Sequence, residues 1–199
     1  MEEYNCDMVI SDFYRVSGER LAQKGDIEED KVMSRQEFAS YMIENPADFY
    51  YGVLWNKMYR RSIIEEYHIR MDTSISWCED FLFNLEYIRH AESFFALQVP
   101  IYYYLKRRGS LVSQGASITN TVRMKSNIFE YYNEFYKDVY EDKYYADIRL
   151  QVYSFLWAAA KDGGVLAGSK KLGEERRRIT REEVEGNGAV IGQYRFRRL

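Results

Sequence analysis

The segment that most constrains the fold is an acidic helix start, Glu79-Asp80, followed by an apolar stretch. Asp80, Asn84 and Tyr87 are spaced one turn apart on one face. A carboxylate in the first turn of a helix interacts with the positive end of the helix dipole and stays ionised at neutral pH. The pattern predicts a helix from Glu79 to about His90 or Ala91. Its buried stripe is expected to contain Phe81, Leu82, Leu85 and Ile88.

The two carboxylates at this helix start have two interpretations. An ionised carboxylate beside a cleft is what a general base requires. Acidic residues are also common in the first turns of ordinary helices, where they do no chemistry. Spacing alone favours the ordinary helix start, so a catalytic role needs support from elsewhere in the chain.

Upstream of this helix, the sequence predicts a strand, a turn and a second helix. Residues 8–16 are rich in β-branched and aromatic side chains and read as one interior strand. Residues 18–30 have the composition of a turn or hairpin. Ser34 and Glu37 form a capping box that opens a helix, and Asn45-Pro46 ends that helix.

Further along the chain, short elements are followed by longer helical patterns. Residues 61–67 read as a short helix, and residues 94–105 read as two strands divided by Pro100, which cannot donate to a ladder. Residues 119–161 show two successive helical patterns joined by a short link, which predicts an antiparallel pair of helices. The predicted fold class is α/β and helix-rich, with a small mixed sheet and a carboxyl-terminal helical pair.

Charge and composition narrow the class of protein. With 46% hydrophobic and 30% charged residues the chain is typical of a soluble globular protein. The net charge of −3 divides into +4 for residues 170–199 and −7 for residues 1–169, so the tail favours an acidic partner such as a membrane surface, a nucleic acid or another subunit.

Cys6 and Cys78 form no disulfide framework, and no signal or membrane-spanning segment is visible, which predicts a cytoplasmic protein. His68 and His90 share no metal-ligand spacing with a cysteine, so both are interpreted as structural and no metal site is predicted.

Several motifs occur in a fixed order that is more specific than any one of them. The order resembles that of the carboxyl-terminal, acceptor-side half of bacterial family-2 glycosyltransferases of the GT-A fold. The resemblance covers about residues 2–113 and predicts an incomplete GT-A-like unit at 1–115, with a helical extension and basic tail at 116–199. The motifs are Trp55-Asn56-Lys57-Met58-Tyr59-Arg60, Glu79-Asp80-Phe81-Leu82-Phe83-Asn84, Val99-Pro100-Ile101-Tyr102-Tyr103-Tyr104 and Gly109-Ser110.

The resemblance assigns roles to individual residues. It implies that Asp80 is the general base of an inverting sugar transfer, with Glu79 as its supporting neighbour. Trp55, Asn56 and Lys57 are then expected to contact substrate, although a tryptophan packed in the core is an equally good interpretation of Trp55. Basic side chains at Arg107 and Arg108 are expected to meet a diphosphate, with a solvated basic loop as the alternative. Cys78 departs from the family pattern, which has glycine there.

One part of the family pattern is absent from this sequence. Complete members hold a divalent metal, Mg²⁺ or Mn²⁺, with an Asp-x-Asp motif, and no Asp-x-Asp occurs here. The expectation is that this chain binds a saccharide acceptor, and that nucleotide-sugar binds only if a missing amino-terminal half is supplied. Without leaving-group stabilisation, the chain alone is expected to be inactive.

Other partners follow from the same features. The strand at residues 8–16 is expected to have lost its neighbours, which predicts self-association through an exposed sheet edge. Peripheral contact with the inner face of the membrane is left open by the basic tail, and nucleic-acid binding is the weakest of the alternatives. A non-enzymatic interaction module, using the tyrosine-rich helices and the basic tail, remains the competing function.

Overall fold

A small mixed sheet forms the centre of the fold. The computed structural model describes residues 1–17, 19–45, 48–73, 78–105 and 118–162. The strands of the sheet are β1 (Met8–Ser11), β4 (Val32–Ser34), β5 (Lys57–Tyr59) and β6 (Ser93–Leu97). They lie in the order β4-β6-β1-β5, in which β1 runs parallel to β6 and antiparallel to β5. All four residues of β1 are buried, because this strand has a neighbour on each side.

The prediction of one continuous strand at residues 8–16 is wrong. The chain leaves the first sheet at Asp12 and enters a second sheet as β2 (Phe13–Ser17). The expected exposed edge at β1 is also wrong, since β5 and β6 pair with both of its sides. Within the described residues, the edges of the first sheet are β4 and β5.

The second sheet contains the predicted hairpin. Its order is β3-β2-β7, with β2 antiparallel to β3 (Arg20–Lys24) and parallel to β7 (Tyr103–Leu105). The prediction of two strands within residues 94–105 is confirmed, but they belong to different sheets. Asp12 marks the crossing point, since its backbone accepts a hydrogen bond from Ile101 and donates one to Leu97.

Four helices pack with or beside the first sheet. The capping box at the start of α1 is confirmed by reciprocal hydrogen bonds between Ser34 and Glu37, and α1 ends before Asn45, as predicted. The helix after Arg60 is also confirmed. These helices are α1 (Arg35–Glu44), α2 (Phe49–Gly52), α3 (Arg61–Glu66) and α4 (Glu79–His90).

The bounds of α4 match the prediction, but its buried face is rotated from the predicted stripe. Leu85 and Ile88 are buried, whereas Phe81 and Leu82 are only partly so. Asn84 and Tyr87 have no exposed surface. The rotation is possible because each of these polar groups finds partners; the Tyr87 hydroxyl, for example, donates to the Asp7 carbonyl at 2.7 Å.

The predicted helical pair is confirmed and joins the same hydrophobic core. It consists of α5 (Ile118–Val139) and α6 (Asp142–Asp162). Side chains of both helices cluster with those of α1 and α4, and the Tyr136 hydroxyl donates to the Ala39 carbonyl at 2.9 Å. The mixed α/β, helix-rich fold class is therefore confirmed. Over the described ranges, the helices are too short or too polar to cross a bilayer.

Candidate functional site

The candidate site is built on a left-handed residue that precedes α4. Cys78, the N-cap of this helix, has φ 66° and ψ 14°. An L-residue suffers a steric penalty in this region, which glycine avoids. The left-handed turn sets the first turn of α4, with Glu79 and Asp80, so that both carboxyl groups remain partly exposed.

The end of α2 and the residues that follow it, residues 50–56 and called here the turn, face this helix start. The turn leaves the carboxyl end of α2, where backbone carbonyls have no partners within the helix. The Asn84 side-chain amide donates to the carbonyls of Tyr51 and Gly52 at 2.9 and 3.0 Å, with a longer contact to Val53 at 3.3 Å. The Asn84 oxygen in turn accepts a hydrogen bond from Tyr59 at 2.6 Å. Asn84 thereby ties the turn to α4, one helical turn beyond Asp80.

Lys57 holds the same turn from the opposite side. Its ammonium group donates to the carbonyls of Tyr50 and Val53 and to Asn56 Oδ1, at 2.8, 2.5 and 2.9 Å. Burial lowers the pKa of Lys57, while the carboxylates of Asp80 and Asp48 oppose that shift. Three oxygen acceptors for three N–H donors, together with two nearby carboxylates, fit the charged form.

Asn56 is enclosed within this arrangement. It has no exposed surface, and its amide donates to the carbonyls of Ser11 and Tyr50 at 3.2 and 3.0 Å. The structure brings Asn56 and Lys57 next to the predicted base, but their hydrogen bonds go to protein atoms. Their expected role in substrate binding stays a prediction, and the visible role of both is to position the turn.

The environment of Asp80 raises the pKa of its carboxyl group above the usual value. Burial is the largest cause, and the neighbouring carboxylate of Glu79 adds to it. Lys57 and a hydrogen bond from the Leu54 backbone oppose the rise. The helix dipole alone would keep this carboxyl a weak base. Its raised pKa makes Asp80 a better proton acceptor than an ordinary exposed aspartate.

Trp55 lies in an aromatic cluster next to the residue that contacts Asp80. Its indole stacks on Tyr102 with ring centroids 4.3 Å apart, and on Tyr104 at 5.7 Å. Phe13 meets it edge-on at 4.9 Å. Trp55 is partly exposed, as is Tyr102, at 40%. The cluster is consistent with both interpretations of Trp55, since its indole packs against the core and still presents aromatic surface.

The structure does not describe every predicted site residue, and it shows roles that the sequence did not predict. Arg107 and Arg108 lie outside the described residues. Reasoning from sequence also misses the part played by Asn84 and Tyr59. The signal is present, because Asn84 lies one helical turn after Asp80 within the same motif, yet periodicity assigns it only to the helix face.

The described side chains do not fit the divalent metal that the resemblance implies. Within the described ranges, no group of three or more His, Cys, Asp or Glu residues could hold a metal ion. A separate cleft of about 480 Å³ is lined in part by Asp12, Asp26 and Glu28 and contains none of the predicted site residues. Burial raises the pKa of Asp12 there, although a hydrogen bond from Gln23 lowers it.

Comparisons with known proteins bear on the fold and, more weakly, on ancestry. No family model matches the chain. Over 111 residues the chain is 27% identical to an uncharacterised glycosyltransferase, EpsJ of Bacillus subtilis strain 168, covering 55% of this chain and 32% of EpsJ. A solved structure of S. aureus TarS, residues 1–349 in complex with UDP-GlcNAc, matches with a TM-score of 0.50 and 16% identity.

Both matches are partial. The TarS match covers 86% of this chain and 53% of the TarS chain. The chain thus spans about a third of EpsJ and about half of the TarS structure. Together the findings show a mixed α/β fold that resembles a glycosyltransferase fold, with weak sequence similarity to a glycosyltransferase.

Proposed function

We propose that this chain supplies the acceptor side of an inverting family-2 glycosyltransferase of the GT-A fold. The observation that carries the proposal is the placement of Asp80. Its carboxyl group is partly exposed, has a raised pKa, and is fixed by the Leu54 backbone next to the aromatic cluster around Trp55. Aromatic faces pack well against the C–H faces of sugar rings, so an acceptor lying on this cluster would bring a hydroxyl near Asp80.

The proposed reaction is a single displacement. Asp80 accepts the proton of an acceptor hydroxyl as that oxygen forms a bond to the anomeric carbon of the donor sugar. The bond from this carbon to the diphosphate oxygen breaks, and its electron pair leaves with the nucleotide diphosphate. Attack from the face opposite the leaving group inverts the anomeric centre. Glu79 contributes by raising the pKa of Asp80.

We assign donor binding to polypeptide that lies outside the described residues. The TarS structure contains a nucleotide-sugar, UDP-GlcNAc, which supports this class of donor. Among the residues that the structure describes, strand β5 is an edge of the first sheet, and Met58 on it is 56% exposed. An unpaired edge of this kind can accept another strand. We assign this edge, in place of residues 8–16, to a donor-binding partner or a second copy of the chain.

The cellular setting is part of the same proposal. Cell-surface polysaccharide synthesis in the cytoplasm, at the inner face of the membrane, agrees with a donor that is a nucleotide-sugar. Cys6 and Cys78 are not joined in a disulfide, which is compatible with a reducing compartment.

The test replaces Asp80 by Asn in the gene at its native position. Surface polysaccharide is then measured alongside a Glu66→Gln strain, which makes a matched charge change at an exposed helical position. The expected result is loss of the polysaccharide with Asp80→Asn and normal amounts with Glu66→Gln, at equal protein levels. Normal polysaccharide in the Asp80→Asn strain would overturn the proposal and favour the non-enzymatic interaction module.

A further inference from the structure

The cleft beside Asp12 opens where two parallel strands of the first sheet end. Strands β1 and β6 run side by side, and the residues that follow them, Asp12 and Gln98, both line this cleft. In open α/β sheets, ligands bind in the crevice beyond the carboxyl ends of the parallel strands. The cleft volume of about 480 Å³ is in the range of small-molecule sites. Position and size thus both favour a site for a small molecule.

The lining of this cleft, called here the acidic cleft, selects the charge of the ligand. Its carboxyl and amide side chains are Asp12, Gln23, Asp26, Glu28 and Gln98, and none of the described lining residues is basic. Three carboxyl groups repel a nucleotide diphosphate and attract a cation. Because no group of the described residues could hold a metal ion, the cation that fits is an organic one.

Asp12 has an acceptor atom that the protein leaves unpaired. The residue is 7% exposed, and Gln23 Nε2 donates to its Oδ2 at 2.8 Å, whereas no group of the described residues donates to its Oδ1. A Cβ on Gly25 would lie 2.1 Å from this Oδ1, so glycine lets the carboxyl group occupy the wall of the cleft. A buried carboxylate with one neutral donor is poorly compensated, and a charged N–H donor would compensate it.

The Tyr50 hydroxyl is a second unpaired group beside the acidic cleft. Tyr50 is 2% exposed, and its hydroxyl has no hydrogen-bond partner among the described residues. Burial is the largest cause of its raised pKa, and the charges of Asp12 and then Asp26 add to it, so the hydroxyl lies near two carboxylates of the cleft. Since buried polar groups nearly always have a partner, this hydroxyl is a second sign that a polar ligand completes the site.

We propose that the acidic cleft binds an amino sugar, a sugar unit that carries a free ammonium group. The ammonium group would donate to Asp12 Oδ1 and to the Glu28 carboxylate, as a charge-assisted donor. Sugar hydroxyls both donate and accept, so they would pair with the amides of Gln23 and Gln98. A neutral sugar would leave the carboxyl groups without an opposite charge, and a simple amine would leave the amides without partners.

Tyr50 links the acidic cleft to the turn that reaches Asp80. Its carbonyl accepts hydrogen bonds from Lys57 Nζ at 2.8 Å and from the Asn56 amide at 3.0 Å. Its hydroxyl, at the other end of the residue, lies near the carboxylates of the cleft. The proposed function then makes the bound amino sugar a second unit of the acceptor, beyond the unit at Asp80, and this step alone rests on that function.

The experiment is an NMR titration of the full chain with three sugars at neutral pH. Glucosamine, N-acetylglucosamine and glucose share one ring and differ at one position, where only glucosamine carries an ammonium group. The expected result is a dissociation constant for glucosamine about tenfold lower than for the other two. Shifts are expected at the side-chain amides of Gln23 and Gln98, which line the cleft.

Two variants test the carboxyl groups. Asp12→Asn removes the buried charge and is expected to weaken glucosamine binding about tenfold, with unchanged circular dichroism. Glu28→Gln changes an exposed residue, which guards against misfolding, and is expected to weaken binding about threefold. Glu19→Gln is the matched control, because Glu19 is exposed at the other end of the β2–β3 hairpin, and it should leave binding unchanged.

Each other outcome counts against the proposal. Absence of glucosamine binding overturns it, as does equal binding of the three sugars or binding that both carboxyl variants leave unchanged. Ethanolamine that binds as tightly as glucosamine would overturn the sugar part, and Mg²⁺ that displaces glucosamine from the same amides would favour a metal site instead. The titration does not involve Asp80, so its failure would leave the polysaccharide test of Asp80→Asn standing.

Discussion

At the scale of single residues, the left-handed conformation of Cys78 before α4 lowers the stability of the folded protein. Its φ of 66° is unfavourable for any residue with a Cβ. The glycine that the resemblance predicts at this position would remove the penalty. A cysteine here therefore retains the turn at some cost in stability.

Glycine at position 78 is expected to be more stable than alanine by about 1 kcal/mol. Both substitutions remove the thiol, so their difference isolates the backbone effect. At an ordinary helical position the order is reversed, and Ala146→Gly on the exposed side of α6 is expected to lose about 1 kcal/mol. Urea unfolding of the three variants measures this. An alanine variant at 78 as stable as the glycine variant would show that the backbone there is relaxed.

The pKa of Asp80 gives a second prediction at this scale. Burial and then Glu79 raise this pKa, so Glu79→Gln is expected to lower it by removing a like charge. The shift is read from a carbon-detected NMR titration of the Asp80 carboxyl group. Glu86→Gln is the control, since Glu86 pairs with Arg89 and His90 two turns further along the helix.

The sign of the linked stability follows from the raised pKa. Protonated Asp80 is favoured in the folded state, so its contribution is fully present below the usual pKa of 3.8. It is lost as the pH rises through the higher folded-state pKa. In the Glu79→Gln variant that loss is expected to be smaller. A titration in which Glu79→Gln leaves the Asp80 pKa unchanged would contradict the electrostatic account.

At the scale of elements, the turn at residues 50–56 and helix α4 form one unit. Asn84 and Lys57 satisfy the carbonyls at the end of α2 from two sides. The Leu54 backbone, at the centre of that turn, then reaches Asp80. Lys57, which the resemblance assigns to substrate, thus acts first on the backbone that positions the base.

Asn84→Asp is expected to destabilise the protein more than Asn84→Ala does. Alanine leaves buried carbonyls without their donor, which costs about 2–3 kcal/mol. Aspartate adds a buried carboxylate facing those carbonyls, so its pKa would be raised and its deficit should shrink as the pH falls. Unfolding free energies at several pH values measure this. Asn133→Asp on α5 is the control, because its side-chain oxygen only accepts a hydrogen bond from Tyr145.

The helices and strands also show which parts of the fold can be predicted from the sequence. The capping box at Ser34 and the periodicity of α4 are local signals, and both gave correct bounds. The division of residues 8–17 between two sheets was not visible, because Asp12 interrupts the strand only through contacts with Leu97 and Ile101, far along the chain. In the site, the motif identifies Asp80 from the sequence. The burial of Asn56 and Asn84 depends on their tertiary contacts with the turn, which the sequence pattern does not reveal.

At the scale of the whole molecule, the carboxyl-terminal helical pair and the strand-containing part share one core. Phe135 and Tyr136 of α5 and Phe155 of α6 cluster with Phe38 of α1 and Leu85 of α4. Hydrogen bonds cross the same boundary, from Tyr136 to Ala39 and from Tyr140 to Gln36. A boundary near residue 115 therefore separates segments of sequence that are not independent in their packing.

Tyr136→Phe is expected to weaken the whole protein and not the helical pair alone. The substitution removes the buried hydrogen bond from the Tyr136 hydroxyl to the Ala39 carbonyl, at a cost of about 1 kcal/mol. Native-state hydrogen exchange should show the same loss of protection at amides of β1 and of α5, since one cooperative unit opens as a whole. Tyr131→Phe is the matched control on the same helix, because Tyr131 is 52% exposed and should change neither set. Loss of protection confined to α5 would mean that the helical pair opens by itself, and that the site around Asp80 does not depend on it.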